Sequence, residues 1–293
     1  MPYFDRAFLP LTIQDALTAC DKLGYKYIWI DQICINQNDP KEKQEQINQM
    51  DCIYQGAVCT LVGLAGVDSN HGLPGITRPR AWKFETVEIG DLNLTLLAPP
   101  RATCSNYSTW ITRGWTFQEG ILSSQLLFFT EYGVYFGCQD ANGGESADAS
   151  KSEISSDPTE DPNNFTLDRY WRTVDQYSVR KLTNPSDILN AFSAVLRVVY
   201  GDDTIYGLPL REIDKAVLWW HSEEPSEVRN GYPSWSWASH NGPISHHLQA
   251  LAGLAIFATR GRESANLTVC KPAPNKKWDS YPPKEWQTEA IMI

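Results

Sequence analysis

Apolar residues recur at helical spacing near the start of the chain. Ile13, Ala16, Leu17, Cys20 and Leu23 make one stripe over residues 12–23. Thr12 stands at the cap position, Asp15 follows three residues on and Gly24 closes the run, so the spacing predicts a helix. Residues 25–30 (YKYIWI) are aromatic and β-branched and read as a buried strand. A second helix is expected over residues 40–55, with Ile47, Met50 and Tyr54 on one face, then a second buried strand over 57–64 (AVCTLVGL). Helix, strand, helix, strand implies a parallel sheet with crossover helices.

The texture then changes. Residues 84–89 and 92–97 flank Gly90-Asp91, and residues 125–130 and 134–138 flank Glu131-Tyr132-Gly133, which predicts two hairpins. Between them, residues 110–121 carry Trp110, Gly114, Phe117 and Ile121 on one helical face. That leaves Trp115 and Glu119, four apart, to share another. Residues 167–179, 186–200 and 209–220 read as three further helices, the second with a stripe of Ile188, Phe192, Val195 and Val199. The aromatic run 232–239 (YPSWSWAS) reads as a strand or loop packed on them.

Composition adds a boundary. Residues 140–164 hold seven acidic residues, one Lys, no aromatic residue and Ile154 as the sole large aliphatic. Such a stretch buries too little apolar surface to offset its ordering entropy, and a disordered linker is expected there. It supplies −6 of a net charge of −10, from 25 Lys+Arg against 35 Asp+Glu. Acidic balance argues against a nucleic-acid partner, which needs phosphate neutralisation. No apolar run reaches the roughly 18–20 residues of a membrane helix, and no secretory signal is visible, so a cytoplasmic location is expected. Seven scattered cysteines, mostly in apolar runs, read as buried reduced thiols. None has CxxC spacing, and His246-His247 would point to opposite sides of a strand, so no metal site is expected.

Two constellations could carry chemistry. Asp31 closes the first expected strand at its carboxyl end, where ligands of open α/β sheets bind, so Asp31, Asn36 and Gln37 could hydrogen-bond a ribose or an amide. The same residues could instead cap the next helix or tie down a turn. Cys34, between Ile33 and Ile35, would need a nearby histidine to act as a nucleophile. In Arg113-Gly114-Trp115-Thr116-Phe117-Gln118-Glu119, a carboxylate beside an indole is partly desolvated, which can tune a catalytic acid, or it is an exposed Glu paired with Arg113. No phosphate-binding glycine loop is present; Gly63, Gly66, Gly72 and Gly75 read as turn glycines.

Several motifs occur together in order. Trp29-Ile30-Asp31, Cys34-Ile35-Asn36-Gln37, Glu45-Gln46-Ile47, Met50, Ile53-Tyr54 and Ala57 are followed by Gly72-Leu73-Pro74-Gly75, by Trp110 with Arg113 to Glu119, and by Phe136-Gly137-Cys138. This set resembles the signature of the HET (heterokaryon incompatibility) family of fungi. The likeness continues through Asp187, Gly207-Leu208-Pro209 and the run 233–239. The resemblance implies a TIR/flavodoxin-like α/β fold: a mainly parallel sheet with inserted hairpins over residues 1–139, the acidic linker 140–164, and a mainly helical region over 165–293. Family members usually open with a strand carrying L-S-Y-x-W-G; this chain reads PYFDRAFLPL after Met1, so a domain without that strand is expected.

What the resemblance implies for function is allorecognition and programmed cell death, an innate-immunity role, with self-association or other incompatibility proteins as partners. Many TIR domains hydrolyse NAD with a helix glutamate in a W-C-x-x-E pattern, and Trp115 and Glu119 keep that spacing. Glu119 then becomes the catalytic candidate, with Asp31, Asn36, Gln37, Arg113 and Trp115 binding the nucleotide. NAD would be substrate, and no cofactor is required. The alternative is a HET-derived protein without enzymatic activity that acts by association.

Overall fold

The computed structural model describes residues 5–83, 85–138, 142–144, 167–224, 227–246, 258–260 and 267–269. Contacts divide the chain into two units, Met1–Glu160 and Asp161–Ile293. The first is mixed α/β. Its helices are α1 (Leu11–Lys22), α2 (Asp31–Cys34), α3 (Pro40–Ile47), α4 (Met50–Gly56), α5 (Arg101–Asn106), α6 (Thr109–Thr112) and α7 (Trp115–Leu122). Its strands are β1 (Thr60–Gly63), β2 (Thr86–Ile89), β3 (Leu92–Thr95), β4 (Gln125–Thr130), β5 (Gly133–Cys138) and β6 (Asn142–Gly144).

The main sheet runs β1-β4-β5-β6. Parallel pairing joins β1 to β4, with Thr60 opposite Leu126, while β4–β5 and β5–β6 are antiparallel. Alternation along β4 splits the core into two layers. Phe128 joins Val62, Leu64 and Tyr135, packed by Cys104, Trp110 and Leu126. Phe129 joins Ala19 and Leu73 on the opposite face, packed by Ala16, Leu61, Leu127 and Val134. Thus α1 covers one face, while Cys104 and Trp110 bring α5 and α6 to the other. The two expected hairpins form as β2–β3 and β4–β5.

The loop after β1 is stitched to α1 by a buried carboxylate. Asp15 is 0 % exposed and accepts from the Leu73 N–H at 2.7 Å and the Thr77 hydroxyl at 2.6 Å. Gly72 and Gly75 sit at φ +76° and +88°, the turn conformation glycine permits. A Cβ on Gly72 would lie 2.7 Å from an Asp15 oxygen. Across the same loop, Arg78 pairs with Glu131, and His71 Nε2 lies 3.3 Å from that carboxylate.

In the first unit, four expectations are corrected. Residues 25–30 form no strand: they are hydrogen-bonded to no described strand, and Tyr27 is 92 % exposed. Strand propensity is realised only against a neighbouring ladder, and β1 pairs with β4 instead. The helix over 40–55 breaks at Asn48-Gln49, because Gln49 leaves helical geometry at φ −110°, ψ 5°; Ile47, Met50 and Tyr54 are nevertheless all buried. The helix over 110–121 breaks where Arg113 is extended at φ −89°, ψ 137°. Finally, none of the six described cysteines is fully buried, and Cys34 and Cys52 are exposed.

The second unit is built on α8 (Leu167–Ser178) and α9 (Asn190–Tyr200). Tyr170, Trp171, Tyr177, Phe192 and Trp237 are its largest buried side chains. Trp237, from the aromatic run, donates to the Tyr170 hydroxyl at 2.8 Å and packs edge-on against Phe192. A tight hairpin, β7 (Thr204–Ile205) and β8 (Leu208–Pro209), turns through Tyr206 at φ +46° and Gly207 at φ +86°. The expected helix over 209–220 is reduced to a 3-10 turn and the short α10 (Ile213–Ala216), because Trp219–His221 leaves as β9 to pair with β10 (Ile244–His246). The helix over 186–200 likewise starts as a 3-10 turn, Pro185–Ile188. A further pair, β11 (Ala258–Arg260) and β12 (Leu267–Val269), is antiparallel.

Within the acidic stretch, Asn142–Gly144 form β6; the rest of it lies outside the described residues, as do His247 and Cys270. No helix among the described residues is long and apolar enough to cross a membrane.

Candidate functional site

The site is assembled where α4 meets α7. Gln118, fully buried on α7, donates from Nε2 to Met50 Sδ on α4 at 3.2 Å. The Ser124 hydroxyl donates to the Ala57 carbonyl at 3.2 Å, and the Thr60 and Ser123 hydroxyls meet at 2.7 Å. These bonds fix the helix ends against the first residues of β1 and β4. Packing α4 on α7 brings Tyr54 to Glu119.

Glu119 is half-buried, and its carboxylate accepts from the Trp110 indole N–H at 3.3 Å. The contact depends on Gly120, where a Cβ would come within 2.8 Å of the indole. Thr116 holds the break between α6 and α7 by donating to the carbonyls of Trp110 and Arg113. The break therefore sends the Trp110 N–H back toward Glu119, while the ring edge still packs on Phe128 with centroids 6.3 Å apart.

Tyr54 marks the centre of the charges. Burial pushes its hydroxyl far above the ordinary tyrosine range; Glu119 and Asp31 add to that shift, and Arg113 opposes it. The hydroxyl therefore stays protonated at physiological pH, within electrostatic reach of half-buried Glu119 and of the exposed Asp31 and Arg113. Trp29 packs edge-on against the Tyr54 ring at 6.1 Å.

Of the residues expected at a site, Asp31, Arg113 and Glu119 converge electrostatically on Tyr54. Asp31, however, closes no strand. It opens α2, and its Oδ1 accepts from the Gln32 N–H at 2.7 Å. Asn36 and Gln37 tie the turn instead: Asn36 donates to Glu42 at 3.2 Å, and Gln37 reaches the carbonyls of Asp31 and Ile35 at 3.5 Å. Trp115 is half-buried on α7. The backbone of Glu119, bonded through its carbonyl to the Ser123 hydroxyl, lies beside the amino ends of β1 and β4, opposite to where α/β sheets usually bind ligands.

Tyr54 and Trp110 were legible as members of apolar stripes and of the motif set, but neither was marked as a site residue. The one signal for Trp110 was a glycine directly after the glutamate, since only glycine leaves room for an indole there. Cys34 is exposed, its sulfur accepting from the Ile30 N–H at 3.4 Å, and His71 is engaged with Arg78 and Glu131. No group of three His, Cys, Asp or Glu among the described residues could hold a metal ion. A separate cleft of about 370 Å³, lined by Leu17, Cys20, Asp21, Gly24, Tyr25 and Ile28, contains none of the candidate residues.

Residues 5–119, from the start of the described chain to Glu119 itself, match the family described as Heterokaryon incompatibility protein (HET). Over that stretch the chain is similar to the HET family. The Neurospora crassa protein named Heterokaryon incompatibility protein 6, OR allele is 42 % identical over 77 residues, which is 22 % of this chain and 11 % of that protein. The Podospora anserina protein named Vegetative incompatibility protein HET-E-1 is 28 % identical over 107 residues, 36 % of this chain and 6 % of that protein. The similarity to either relative thus spans a small part of that relative's length. No solved structure matches the chain. The matched stretch ends at the carboxylate that Trp110 holds, so it covers α4 and the first residues of α7.

Proposed function

We propose that the HET domain acts in fungal incompatibility by hydrolysing the glycosidic bond of a nicotinamide nucleotide, with Glu119 at the reacting centre. The observation that carries this reading is a half-buried carboxylate held by the Trp110 N–H, whose charge, with that of the exposed Asp31, acts on the buried Tyr54 hydroxyl. Negative charge fixed in a partly desolvated site stabilises an oxocarbenium centre as nicotinamide leaves. The bond from ribose C1′ to the pyridinium nitrogen breaks, its electron pair neutralises the ring, and water adds at C1′ and gives up a proton. Products are nicotinamide, ADP-ribose and a proton.

A second reading has one observation in its favour. On the β2–β3 hairpin, Val87, Ile89, Leu92 and Leu94 share one face and are all exposed, while Glu88 and Asn93 share the other. An unpartnered apolar face of this kind suits association, and a HET domain that works by association alone would need no reacting carboxylate. Inducible expression in a fungal host separates the two. If the reading holds, wild type arrests growth and depletes cellular NAD, and Glu119→Ala at equal abundance does neither. Growth arrest by Glu119→Ala equal to wild type would select association.

A further inference from the structure

Arg101 packs against the aromatic wall of the site with no counter-charge among the described residues. It opens α5 after Pro99-Pro100, and the Tyr135 hydroxyl fixes that start by donating to the Pro99 carbonyl at 2.6 Å. Its guanidinium carbon lies 4.9 Å from the centroid of the Phe128 ring. Among the described residues no carboxylate, carbonyl or hydroxyl pairs with it. Burial alone lowers its proton affinity, with no acidic neighbour acting against that effect. Arg78, Arg172 and Arg211 are paired with Glu131, Asp168 and Asp203, and Arg229 donates to the Ala238 and His240 carbonyls.

A half-buried guanidinium resting on an aromatic ring has given up part of its hydration without gaining a protein partner, while its nitrogens still reach water. Stacking on a ring offsets part of that loss and leaves the N–H fork free. The ring concerned is also the one Trp110 packs on, and Trp110 holds Glu119. Arg101 and the reacting carboxylate are therefore linked through Phe128 and Trp110. An arginine fork is suited to two oxygens of one phosphate.

We propose that Arg101 is the anion-binding residue of this site, taking a phosphate group of the ligand. The proposal rests on the nucleotide reading for the site's location and for the ligand carrying its reacting glycosidic bond, but not on turnover. Positive charge at Arg101 and negative charge at Glu119 then fit a molecule with a pyrophosphate at one end and a developing cation at the other.

Calorimetric titration of the full chain with inorganic pyrophosphate, ADP-ribose and nicotinamide riboside tests it. Wild type is expected to bind pyrophosphate and ADP-ribose. Arg101→Gln should weaken both at least tenfold, Arg101→Lys should weaken both less, and the exposed control Lys41→Gln should weaken neither. Nicotinamide riboside, which lacks phosphate, should be unaffected by Arg101→Gln. Tighter binding of ADP-ribose than of pyrophosphate identifies a nucleotide as the ligand; the reverse order identifies a free phosphate compound, still held by Arg101. No binding of either by wild type, or equal binding by Arg101→Gln, overturns the proposal. Folding is checked with Arg101→Met, which keeps the packing and removes the charge. Its melting temperature should equal or exceed that of wild type, and a clear drop would make Arg101 structural and overturn the proposal. Arg101-dependent binding without nicotinamide release would sink the hydrolysis reading alone. Release with an unchanged KM in Arg101→Gln would sink the Arg101 assignment alone.

Discussion

Replacing Asp15 with alanine removes the link between α1 and the turn that follows β1. The carboxylate is fully buried and serves two donors, the Leu73 N–H and the Thr77 hydroxyl. A hydrogen bond to a charged group contributes about 1.5–3 kcal/mol, and a buried donor left unmatched costs about 1–3 kcal/mol. The two losses overlap, so the substitution should cost about 3–5 kcal/mol. For a unit of this size that corresponds to a fall in melting temperature on the order of 10 °C. Asp15→Asn should behave differently. Its remaining oxygen can still accept from Leu73, and its amide can donate to the Thr77 hydroxyl, so the expected cost is only about 1–2 kcal/mol. Urea denaturation followed by circular dichroism measures both, and a double-mutant cycle with Thr77→Val isolates the second bond. A loss below about 1 kcal/mol for Asp15→Ala, or equal losses for Ala and Asn, would refute the reasoning.

Gly120→Ala sets a helix-propensity gain of about 1 kcal/mol against a clash with the indole of about 1–3 kcal/mol, so stability should change by no more than about 2 kcal/mol. The displaced Trp110 loses Glu119, and nicotinamide release should fall at least tenfold with a shift in tryptophan emission; unchanged release would separate Trp110 from the site. Glu131 has its proton affinity raised by burial, but hydrogen bonds from Arg78, the Ala81 N–H and His71 outweigh that and hold its carboxyl below the usual range. Its folded value is thus below its unfolded one. The contribution is present above the ordinary glutamate value of about 4.3 and is lost as pH falls through the folded value. Glu131→Gln should therefore flatten the acid side of the pH–stability curve, and an unaltered acid limb would show that the Arg78 pair contributes nothing.

Periodicity was a good guide wherever one face of an element meets the core it was read for. α1 lies within a residue of its expected span at each end, and both hairpins form about their glycine-containing turns. Residues 25–30 have the composition of a strand, but a strand exists only with a partner, and none of the described strands takes that place. The breaks at Asn48-Gln49 and at Arg113 were hidden because apolar spacing continues across them. Met50 and Tyr54 stay buried after the first break, so the stripe alone cannot report it. At the second break, the spacing placed Trp110 in a core stripe, and its ring does pack on Phe128. What the stripe could not show is that its N–H turns to Glu119. Glu119 was singled out for its spacing to Trp115, but the indole N–H that reaches its carboxylate is that of Trp110, and Tyr54 was not singled out for a site at all. A tyrosine in an apolar stripe carries no sign of which charges its hydroxyl will meet until α4 is packed on α7.

In the second unit, α8 and the α9 stripe were legible for the same reason, and the aromatic run was correctly read as packing on them. The segment over 209–220 was not. Trp219 and Trp220 sit at helical spacing from residues before them, but their pairing with β10 is long-range and leaves no local trace.

The proposed chemistry depends most on the carboxylate of Glu119. Nicotinamide release from NAD by the purified full chain, followed by chromatography with and without fusion to an oligomerising scaffold, tests it directly. The prediction is turnover by wild type and loss of at least a hundredfold in Glu119→Gln, which keeps the side chain's shape and removes its charge. Undetectable release from folded wild-type protein in both forms, or release by Glu119→Gln equal to wild type, would contradict the central claim.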